Sequence, residues 1–256
     1  MTDLTGRVAL VSGAGGSGIG RGTAQAFGGA GATVIVTARR LDAAEEAAEE
    51  IRTDGGTAHA VALDTSSSES CRAAIRAAAD LCGRLDIVVH NATHGLSASV
   101  APIDDIDAEW WDSQAAVSLA GSFYLAREAF PHLKASDAGR LILFTSLRGV
   151  AGLDPNPAYA VQKAAVRGMT RALAHEWGAY GITVNAIAPA ALSKPSLDYF
   201  AAHPEARAFV EAVIPLKRMG DPRRDVGEAI VAIAGPAGQY LTGQTVVLDG
   251  GLFSAT

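Results

Sequence analysis

The chain has 256 residues, of which 49% are hydrophobic and 19% are charged. This composition is typical of a globular protein with a sizeable core and argues against disorder. The net charge of −6 argues against a nucleic-acid partner, because nucleic acids are bound by concentrated basic surfaces. The sequence has neither a membrane-spanning apolar run nor a signal-peptide pattern, so we expect no membrane partner and a cytoplasmic location.

The two cysteines, Cys71 and Cys82, lie in the same predicted helix. Their spacing along a helix separates them by roughly 16 Å, which is too far for a disulfide. Two cysteines are too few for a zinc cluster, and His90, His94 and His175 lack the spacing of metal ligands. The sequence therefore predicts free thiols and no metal site.

Short β-rich segments alternate with longer alanine-rich segments along the whole chain. The predicted strands, in chain order, are RVALVSG, ATVIVTA, TAHAVALD, LDIVVHNA, GRLILFTS, GITVNAIAP and TVVLDGG. They are continuously apolar, as expected of parallel strands buried on both faces. The predicted helices between them cover residues 19–30, 41–51, 67–82, 107–135 and 157–179. This alternation predicts a single α/β domain over residues 1–256: a Rossmann-like, doubly wound parallel sheet of about seven strands with helices on both faces.

Residues 190–215 interrupt the alternation, because they are longer than the usual connection between elements of such a sheet. The segment follows the carboxyl end of a strand and carries several apolar side chains, Leu197 and Phe200 among them. One interpretation is a pair of short surface helices, and the other is a lid over an apolar substrate. Ligands of such sheets bind at the carboxyl ends of the strands, which favours the lid.

The stretch SGAGGSGIG lies between the first predicted strand and the first predicted helix. Within it, Gly13, Gly15 and Gly18 match the pattern G-x-G-x-x-G in the context that this fingerprint requires. Such glycines let the backbone approach a pyrophosphate, and the N-terminus of the following helix offers amide groups and a favourable dipole. The stretch therefore predicts a dinucleotide site.

The second predicted strand ends in Arg39 and Arg40, with no carboxylate before Asp42. Many dinucleotide folds place an acidic residue here to bind the ribose hydroxyls, whereas a guanidinium holds a 2′-phosphate. An alternative is that the two arginines simply begin a solvated helix. The pattern favours NADP(H) over NAD(H).

Tyr159 and Lys163 lie four residues apart on one face of a helix that begins with the capping residue Asn156 and with Pro157. A free phenol has a pKa near 10, and a neighbouring ammonium lowers it towards the range useful for proton transfer. Ser146 stands at the end of a buried strand, where its hydroxyl could contact a substrate oxygen. An isolated pair of this kind is also compatible with an ordinary exposed tyrosine and lysine.

Together with Asp64, the segment HNA at 90–92, NAIAP and YLTGQTVVLDGG, these motifs occur in the order and spacing of one enzyme family. Over essentially its whole length the chain resembles the short-chain dehydrogenase/reductase family, and it is most similar to the 3-oxoacyl-reductase-like branch. The resemblance implies that Tyr159 is the general acid/base. Lys163 would lower the pKa of Tyr159 and bind the nicotinamide ribose, and Ser146 would orient the carbonyl group.

The predicted cofactor-binding set comprises Gly13, Gly15, Ser17, Gly18, Ile19, Gly20, Arg39, Arg40, Asp64, Thr65, Asn91, Ala92, Tyr159, Lys163, Pro189 and Leu192. We expect substrate contacts from His94 at the mouth of the cleft and from Leu197 and Phe200 in the lid. No residue is predicted to hold a metal.

The chain departs from the family pattern at four places. The loop between Gly13 and Gly18 is one residue longer, and we expect the extra residue to bulge outward beside the adenosine phosphates. Thr93 and Ala190 each stand where the family pattern has a glycine. Ser193 or Lys194 stands in place of a threonine that the family has near residue 190. Ser118 stands where the family usually has an asparagine that helps a water molecule to relay protons to the lysine. Ser118 is therefore a predicted catalytic residue. Because serine is shorter than asparagine, we expect the proton relay to follow a different path or to be slower.

The resemblance predicts an NADP(H)-dependent oxidoreductase that interconverts a ketone and a secondary alcohol with an apolar body. It also predicts a homotetramer or homodimer formed through the helices at 107–135 and 157–179, with Trp110 and Trp111 packed in the core or the subunit interface. The alternative is a protein of the same fold that binds a cofactor or ligand with weak or no redox activity. Lyase or dehalogenase chemistry is disfavoured, because the lysine and the open glycine loop are both present.

Overall fold

The computed structural model describes residues 2–98, 101–147 and 156–253. Its strands are β1 (Val8–Ser12), β2 (Thr33–Ala38), β3 (Thr57–Ala62), β4 (Ile87–His90), β5 (Arg140–Phe144), β6 (Thr183–Pro189) and β7 (Thr245–Leu248). They form one seven-stranded sheet in the order β3-β2-β1-β4-β5-β6-β7, and every pairing is parallel. The predicted fold class is confirmed.

The strand order reverses at β1, which pairs with β2 on one side and β4 on the other. At the centre of the sheet Leu10 lies opposite both Ile35 and Val88. The connections that leave the carboxyl ends of β1 and β4 therefore diverge and open a crevice, the position at which such sheets bind ligands.

The helices in the described ranges are α1 (Ile19–Gly29), α2 (Leu41–Thr53), α3 (Ser68–Cys82), α4 (Ala108–Ala115), α5 (Gly121–Ala135), α6 (Pro157–Trp177), α7 (Lys194–Ala202), α8 (Pro204–Val213) and α9 (Glu228–Ala234). Helices α1, α2 and α9 contribute to the apolar core on one face of the sheet, and α3, α5 and α6 to the core on the other. Each strand serves both cores, because successive side chains point to opposite faces. Along β1, Ala9 and Val11 belong to the first core and Val8 and Leu10 to the second.

The helix predicted over 107–135 contains one turn that the sequence did not predict. It begins as expected, with Asp107 as N-cap accepting a hydrogen bond of 2.7 Å from the Trp110 backbone N–H. Between α4 and α5, however, residues Ala116–Ala120 form a π-helical turn. Such a turn holds one residue more than an α-helical turn and is often found at functional sites. Apolar periodicity over 29 residues cannot reveal it, since the helix resumes directly afterwards.

An ion network occupies the amino end of the sheet. The buried Asp86 carboxylate accepts hydrogen bonds from the Val8 backbone N–H at 2.9 Å, from Arg84 Nε at 2.8 Å and from Ser136 Oγ at 2.5 Å. Arg84 also contacts Asp137, which pairs in turn with Arg7. Burial alone would raise the pKa of Asp86, but the hydrogen bonds from Arg84, Ser136 and Val8 outweigh it and lower that pKa.

Cys71 and Cys82 are free thiols, and burial raises the pKa of Cys71 to about 12. Within the ranges that the structure describes, the helices are too short or too polar to cross a bilayer. The same ranges hold no group of three His, Cys, Asp or Glu side chains arranged to bind a metal ion.

Candidate active site

The candidate site lies at the carboxyl ends of β1, β4, β5 and β6, beside the crevice. Gly13 directly follows β1 and has a positive φ of 68°. A Cβ at Gly13 would lie 2.9 Å from the Ala92 Cα, and one at Gly20 would lie 2.4 Å from the Gly13 carbonyl oxygen. Contacts this short exclude a side chain. Both positions need glycine because the loop after β1, the start of α1 and the loop after β4 touch one another.

The glycine loop is fixed to α2 by a residue that the sequence analysis missed. Arg21 donates a 3.1 Å hydrogen bond to the Gly15 carbonyl oxygen and pairs with Glu46 and Glu50 at 3.1 and 2.9 Å. A Cβ at Gly15 would meet the Ala38 Cβ at 2.7 Å. Gly15 is therefore held against the end of β2.

The next two residues of the loop, Gly16 and Ser17, point outward. Both are exposed, and a Cβ at Gly16 would have no heavy atom within 4 Å. Open space is thus present for the predicted outward bulge, and Gly18 is the N-cap of α1. Gly18 forms no side-chain cap, so the first N–H groups of α1 face the loop without a helical acceptor. A cradle of glycine backbone at a helix N-terminus fits the pyrophosphate of a dinucleotide.

Ser12, the last residue of β1, joins the two loops at the crevice. Its Oγ accepts hydrogen bonds of 3.1 Å from the backbone N–H groups of Asn91 and Ala92. The Asn91 side chain reaches back to the carbonyl oxygens of Ser12 and Gly13, each at 3.3 Å. Asn91 therefore supports the loop backbone, a role that the sequence pattern alone does not distinguish from a direct cofactor contact.

The two arginines after β2 differ in their surroundings. Arg40 pairs with Asp42 at 3.3 Å, whereas exposed Arg39 has no ion-pair partner among the described residues. Farther along this edge, the Asp64 carboxylate accepts hydrogen bonds from the Ser66 N–H and Oγ at 3.0 and 2.6 Å, and Thr65 is buried. Of the two arginines, Arg39 is thus the one whose charge is available to bind an anionic ligand.

Helix α6 brings Tyr159 and Lys163 together. Its first turn is capped as predicted: Asn156 Oδ1 accepts a 3.0 Å hydrogen bond from the Tyr159 N–H, and Pro157 follows the cap. The Lys163 ammonium lies 5.6 Å from the centroid of the Tyr159 ring. Ser146 lies two residues beyond the end of β5.

Lys163 is held by the end of β5 and buried there. Its Nζ donates a 3.1 Å hydrogen bond to the Phe144 carbonyl oxygen, and Thr145 Oγ1 donates one of 2.7 Å to the Lys163 carbonyl oxygen. Burial lowers the pKa of Lys163 to about 8. A cation that is costly to keep buried is available to stabilise a developing negative charge on a neighbour.

Four further polar side chains are buried on neighbouring elements: His90 at the end of β4, Gln114 in α4, Ser118 in the π-helical turn and Gln162 in α6. Burial, and secondly the positive charge of Lys163, lower the pKa of His90 to about 4, so the imidazole is neutral at pH 7. His90 Nδ1 lies 2.8 Å from Ser12 Oγ. Ser118, the expected relay residue, lies in the π-helical turn. The sequence analysis missed both glutamines, because nothing in their spacing distinguishes a buried glutamine from a solvated one.

The segment 190–215 folds as two short helices, α7 and α8. Ser193 caps α7 by a reciprocal bond with Ser196, and its Cβ lies 3.7 Å from where a Cβ on Gly18 would lie. The segment therefore starts directly over the glycine loop. Leu197 is exposed and Phe200 is half-buried.

Three other predicted contacts lie near the start of this segment or across the cleft. Pro189 ends β6, and the Leu192 N–H donates a 2.9 Å hydrogen bond to the Gly220 carbonyl oxygen. His94 follows Thr93, whose hydroxyl lies 2.8 Å from the Ser97 hydroxyl. The bond to Ser97 ties Thr93 to its own loop.

Comparisons with known proteins match nearly the whole chain. A family model described as enoyl-(acyl carrier protein) reductase matches residues 13–253. The chain is 36% identical to the A-factor type gamma-butyrolactone 1'-reductase (1S-forming) of Streptomyces virginiae over 98% of both proteins. It is 33% identical to a 3-oxoacyl-[acyl-carrier-protein] reductase of Synechocystis sp., over 98% of this chain and 99% of that protein.

A solved structure from Beutenbergia cavernae, assigned as an NAD(P)-dependent gluconate 5-dehydrogenase, is similar throughout. Its TM-score is 0.89 at 34% sequence identity, with 99% of both chains covered, and it holds NADP at low occupancy.

Proposed function

The chain belongs to the short-chain dehydrogenase/reductase family, and we propose that it is an NADP(H)-dependent oxidoreductase that interconverts a ketone and a secondary alcohol. The observation that carries the proposal is the buried Lys163 ammonium beside the Tyr159 ring, at the carboxyl end of β5. The gamma-butyrolactone 1'-reductase and 3-oxoacyl reductase relatives support the reaction class.

In this proposal Tyr159 is the general acid for carbonyl reduction. Its Oη–H bond breaks as the O–H bond of the product alcohol forms, and the reverse transfer serves oxidation. Lowering the pKa of a phenol from about 10 to near 7 requires roughly 4 kcal/mol of differential interaction with the phenolate. The Lys163 charge supplies such an interaction, because burial leaves it little solvent screening.

Ser146 would hold the carbonyl oxygen against Tyr159, since it leaves the end of β5 at the level of the crevice. The bound dihydronicotinamide would supply the hydride. The glycine loop and the first turn of α1 would hold its pyrophosphate, with Gly13 and Gly20 leaving the space that a Cβ would fill.

Arg39 supports the preference for NADP(H). Its guanidinium is exposed and lacks an ion-pair partner among the described residues, whereas Arg40 is paired with Asp42. A guanidinium can bind the 2′-phosphate of NADP(H) through two hydrogen bonds, whereas the ribose diol of NAD(H) carries no charge to attract it. We expect NADPH to bind at least about tenfold more tightly than NADH, and Arg39→Ala to remove most of that difference.

The substrate would have an apolar body covered by α7 and α8, with Leu197, Phe200 and His94 contacting it. The half-buried Phe200, stacked edge-on against Tyr199 at 5.8 Å between ring centroids, gives this lid an aromatic surface. We also propose a homotetramer or homodimer through α4, α5 and α6, which expose Trp111, Phe123 and Val161.

The test is an NADPH-oxidation screen over β-keto esters, cyclic ketones, steroids and acyl thioesters, with Tyr159→Phe as the comparison. We expect at least one class to be reduced, and Tyr159→Phe to lower that rate by about 10²-fold or more while NADPH affinity stays nearly unchanged. An undiminished rate in Tyr159→Phe would contradict the proposed role of the tyrosine.

Ser118 favours one second candidate, a cofactor-binding protein with weak or no redox activity. Its hydroxyl is buried and makes no hydrogen bond to any described residue, so the usual relay is altered. Tight NADPH binding without reduction in any class of the screen would select this function over the first.

A further inference from the structure

Buried polar atoms without a hydrogen-bond partner are concentrated on α6, on the elements that pack against it and at the end of β4. Among the described residues, nine buried side-chain nitrogen and oxygen atoms have no hydrogen-bond partner. Seven of them belong to Gln114, Gln162, Ser118, His90 and Trp110, and both amide atoms of each glutamine are included. Native structures pair almost every buried polar atom with protein or ordered water. A cluster of this kind therefore points to water held inside the protein.

The two glutamines lie at the same level of two neighbouring helices. Helices α5 and α6 each lead into the next parallel strand and share one core, so they run side by side in the same direction. Phe130 and Trp177 fix their register with ring centroids 4.9 Å apart. Gln162 lies 15 residues before Trp177, and Gln114 lies 16 residues before Phe130. The π-helical turn takes up the one-residue difference, so the two residues lie at a similar height. The helix that carries Gln114 packs against α6, which carries Gln162.

The remaining members of the cluster are buried on the π-helical turn, on α6 and at the end of β4. Ser118 lies one turn after Gln114, and Lys163 directly follows Gln162. His90 approaches from the end of β4, close enough for the Lys163 charge to act on its imidazole. We define the polar chamber as His90, Gln114, Ser118, Gln162 and Lys163. Its five members are polar and buried, and interior water is retained where such groups leave room for it.

Carbonyl reduction needs a proton supply to this place. Each turnover breaks the Tyr159 O–H bond and leaves a phenolate, which must regain one proton from solvent before the next. Lys163, the buried cation beside Tyr159, is the group through which that proton passes in the proposed function. Ser118 is too short to position water as an asparagine would, whereas each glutamine offers one donor group and one acceptor that no described residue occupies.

We propose that the polar chamber holds ordered water and that Gln114 and Gln162 position it for proton delivery to Lys163, in place of an asparagine at residue 118. The proposal rests on the proposed function. Gln114 and Gln162 are positioning residues, because they act on water and Lys163 and not on the substrate. Trp110 Nε1, one turn before Gln114, lies at the outer end of the chamber.

The kinetic test replaces each glutamine by methionine, which keeps the length of the side chain and removes its amide. We expect Gln114→Met and Gln162→Met each to lower kcat for ketone reduction about tenfold, with KM and NADPH affinity changed less than about twofold. The solvent deuterium isotope effect on kcat should increase, because proton delivery then limits turnover. Adding Ser118→Asn to Gln114→Met should restore most of the lost kcat.

The matched control is Thr170→Val on the same buried row of α6. The Thr170 hydroxyl is bonded to the Val166 carbonyl oxygen at 2.9 Å and lies outside the polar chamber. We expect its kcat and isotope effect to equal those of the wild type. A kcat within about twofold of the wild type in both methionine variants would overturn the inference, as would a failure of Ser118→Asn to restore the rate.

A crystal structure of the cofactor-free wild type supplies a readout that does not depend on activity. We expect density for water within about 3 Å of the amide atoms of Gln114 and Gln162. A dry chamber, or two carboxamides bonded only to each other, would overturn the inference. The two failures are distinct: a wild type that reduces no ketone overturns the proposed function, whereas an active wild type with a dry chamber overturns this one.

Discussion

Asp86 at the amino end of the sheet and Lys163 at its carboxyl end are both buried charged residues, but their surroundings differ. Asp86 accepts hydrogen bonds from Arg84, Ser136 and a backbone N–H, and its pKa is lowered. The Lys163 ammonium has one hydrogen bond within the described ranges, to the Phe144 carbonyl oxygen, and burial lowers its pKa to about 8. The first charge is stabilised by the fold, and the second destabilises the fold.

The amino end of the sheet, with Asp86, stabilises the fold, whereas the carboxyl end, with Lys163, is available for chemistry. A buried charge with good partners costs little once it is formed, whereas a poorly paired one keeps its attraction for a ligand or for a developing charge. The amino end of the sheet therefore supports stability at the expense of reactivity. The carboxyl end does the reverse, and four substitutions test this contrast.

The largest expected effect on stability is at the amino end. Asp86→Ala should lower the free energy of unfolding by about 3–5 kcal/mol, because Arg84 and the Val8 N–H lose a buried acceptor. NADPH affinity should stay unchanged in the protein that folds. Urea unfolding measures the first quantity, and fluorescence titration the second. Asp137→Ala, at the exposed member of the network, should lower the free energy of unfolding much less than Asp86→Ala does, and equal losses at the two sites would contradict the contrast.

Lys163→Met should remove one pH-dependent contribution to the free energy of unfolding. The folded pKa is about 8 and the ordinary value is 10.5, so between these values the unfolded chain binds a proton that the folded chain does not. Wild-type stability therefore gains from this group as pH rises from about 8 to 10.5, by up to about 3 kcal/mol. Below pH 8 the full penalty is present, so Lys163→Met is more stable relative to wild type at pH 7 than at pH 10.5.

Urea unfolding of wild type and Lys163→Met across that range measures the difference. Ionisation of Cys71 acts in the opposite direction above pH 9 but is common to both proteins, so it cancels. The exposed Lys134→Met is the matched control and should show no such pH-dependent difference. A constant offset between wild type and Lys163→Met would show that the lysine is not destabilised by burial.

His90→Asn should make the protein less sensitive to mild acid. The folded pKa is about 4, chiefly through burial, against 6.5 ordinarily, so between these values the unfolded chain takes up the proton. The stability contributed by neutral His90 is present above pH 6.5 and is lost as pH falls towards 4. By pH 5 the free energy of unfolding of the wild type should have fallen by about 2 kcal/mol through this group. His90→Asn should not show this loss.

Thermal unfolding at pH 7 and pH 5 measures this effect. The exposed His175→Asn is the control, and it should follow the wild type at both pH values. Parallel acid losses in wild type and His90→Asn would place the sensitive group elsewhere.

The smallest expected effect is at the outward part of the glycine loop. A Cβ at Gly16 meets no heavy atom within 4 Å, so Gly16→Ala should change the free energy of unfolding by less than about 1 kcal/mol. Gly20→Ala is the contrasting variant, because its Cβ would lie 2.4 Å from the Gly13 carbonyl oxygen. It should unfold at lower temperature and bind NADPH less tightly. Similar melting temperatures for the two variants would contradict the account of the loop.

The fold could be predicted from the sequence because its determinants are local. Each strand is a short, continuously apolar run, and the alternation with helices allows few topologies. The start of α6 at Asn156 and Pro157 was likewise predictable from capping chemistry. The proximity of Tyr159 to Lys163 follows from helical spacing alone.

The missed features depend on contacts between distant parts of the chain. Arg21 reads as an ordinary helical arginine until the structure shows it bound to the Gly15 carbonyl oxygen. Gln114 and Gln162 are polar residues on helices, and only tertiary packing shows that both are buried. The roles of the candidate cofactor and catalytic residues remain predictions, which the variants above test.

The π-helical turn at Ala116–Ala120 also has an evolutionary consequence. It is equivalent to one inserted residue in an otherwise regular helix. Loss of a single codon there would straighten the helix and rotate α4 by roughly 100° relative to α5. That rotation would carry Gln114 away from α6 while leaving the core contacts of α5 in place. One in-frame insertion or deletion is therefore enough to change which face of α4 packs against α6 without rebuilding the sheet.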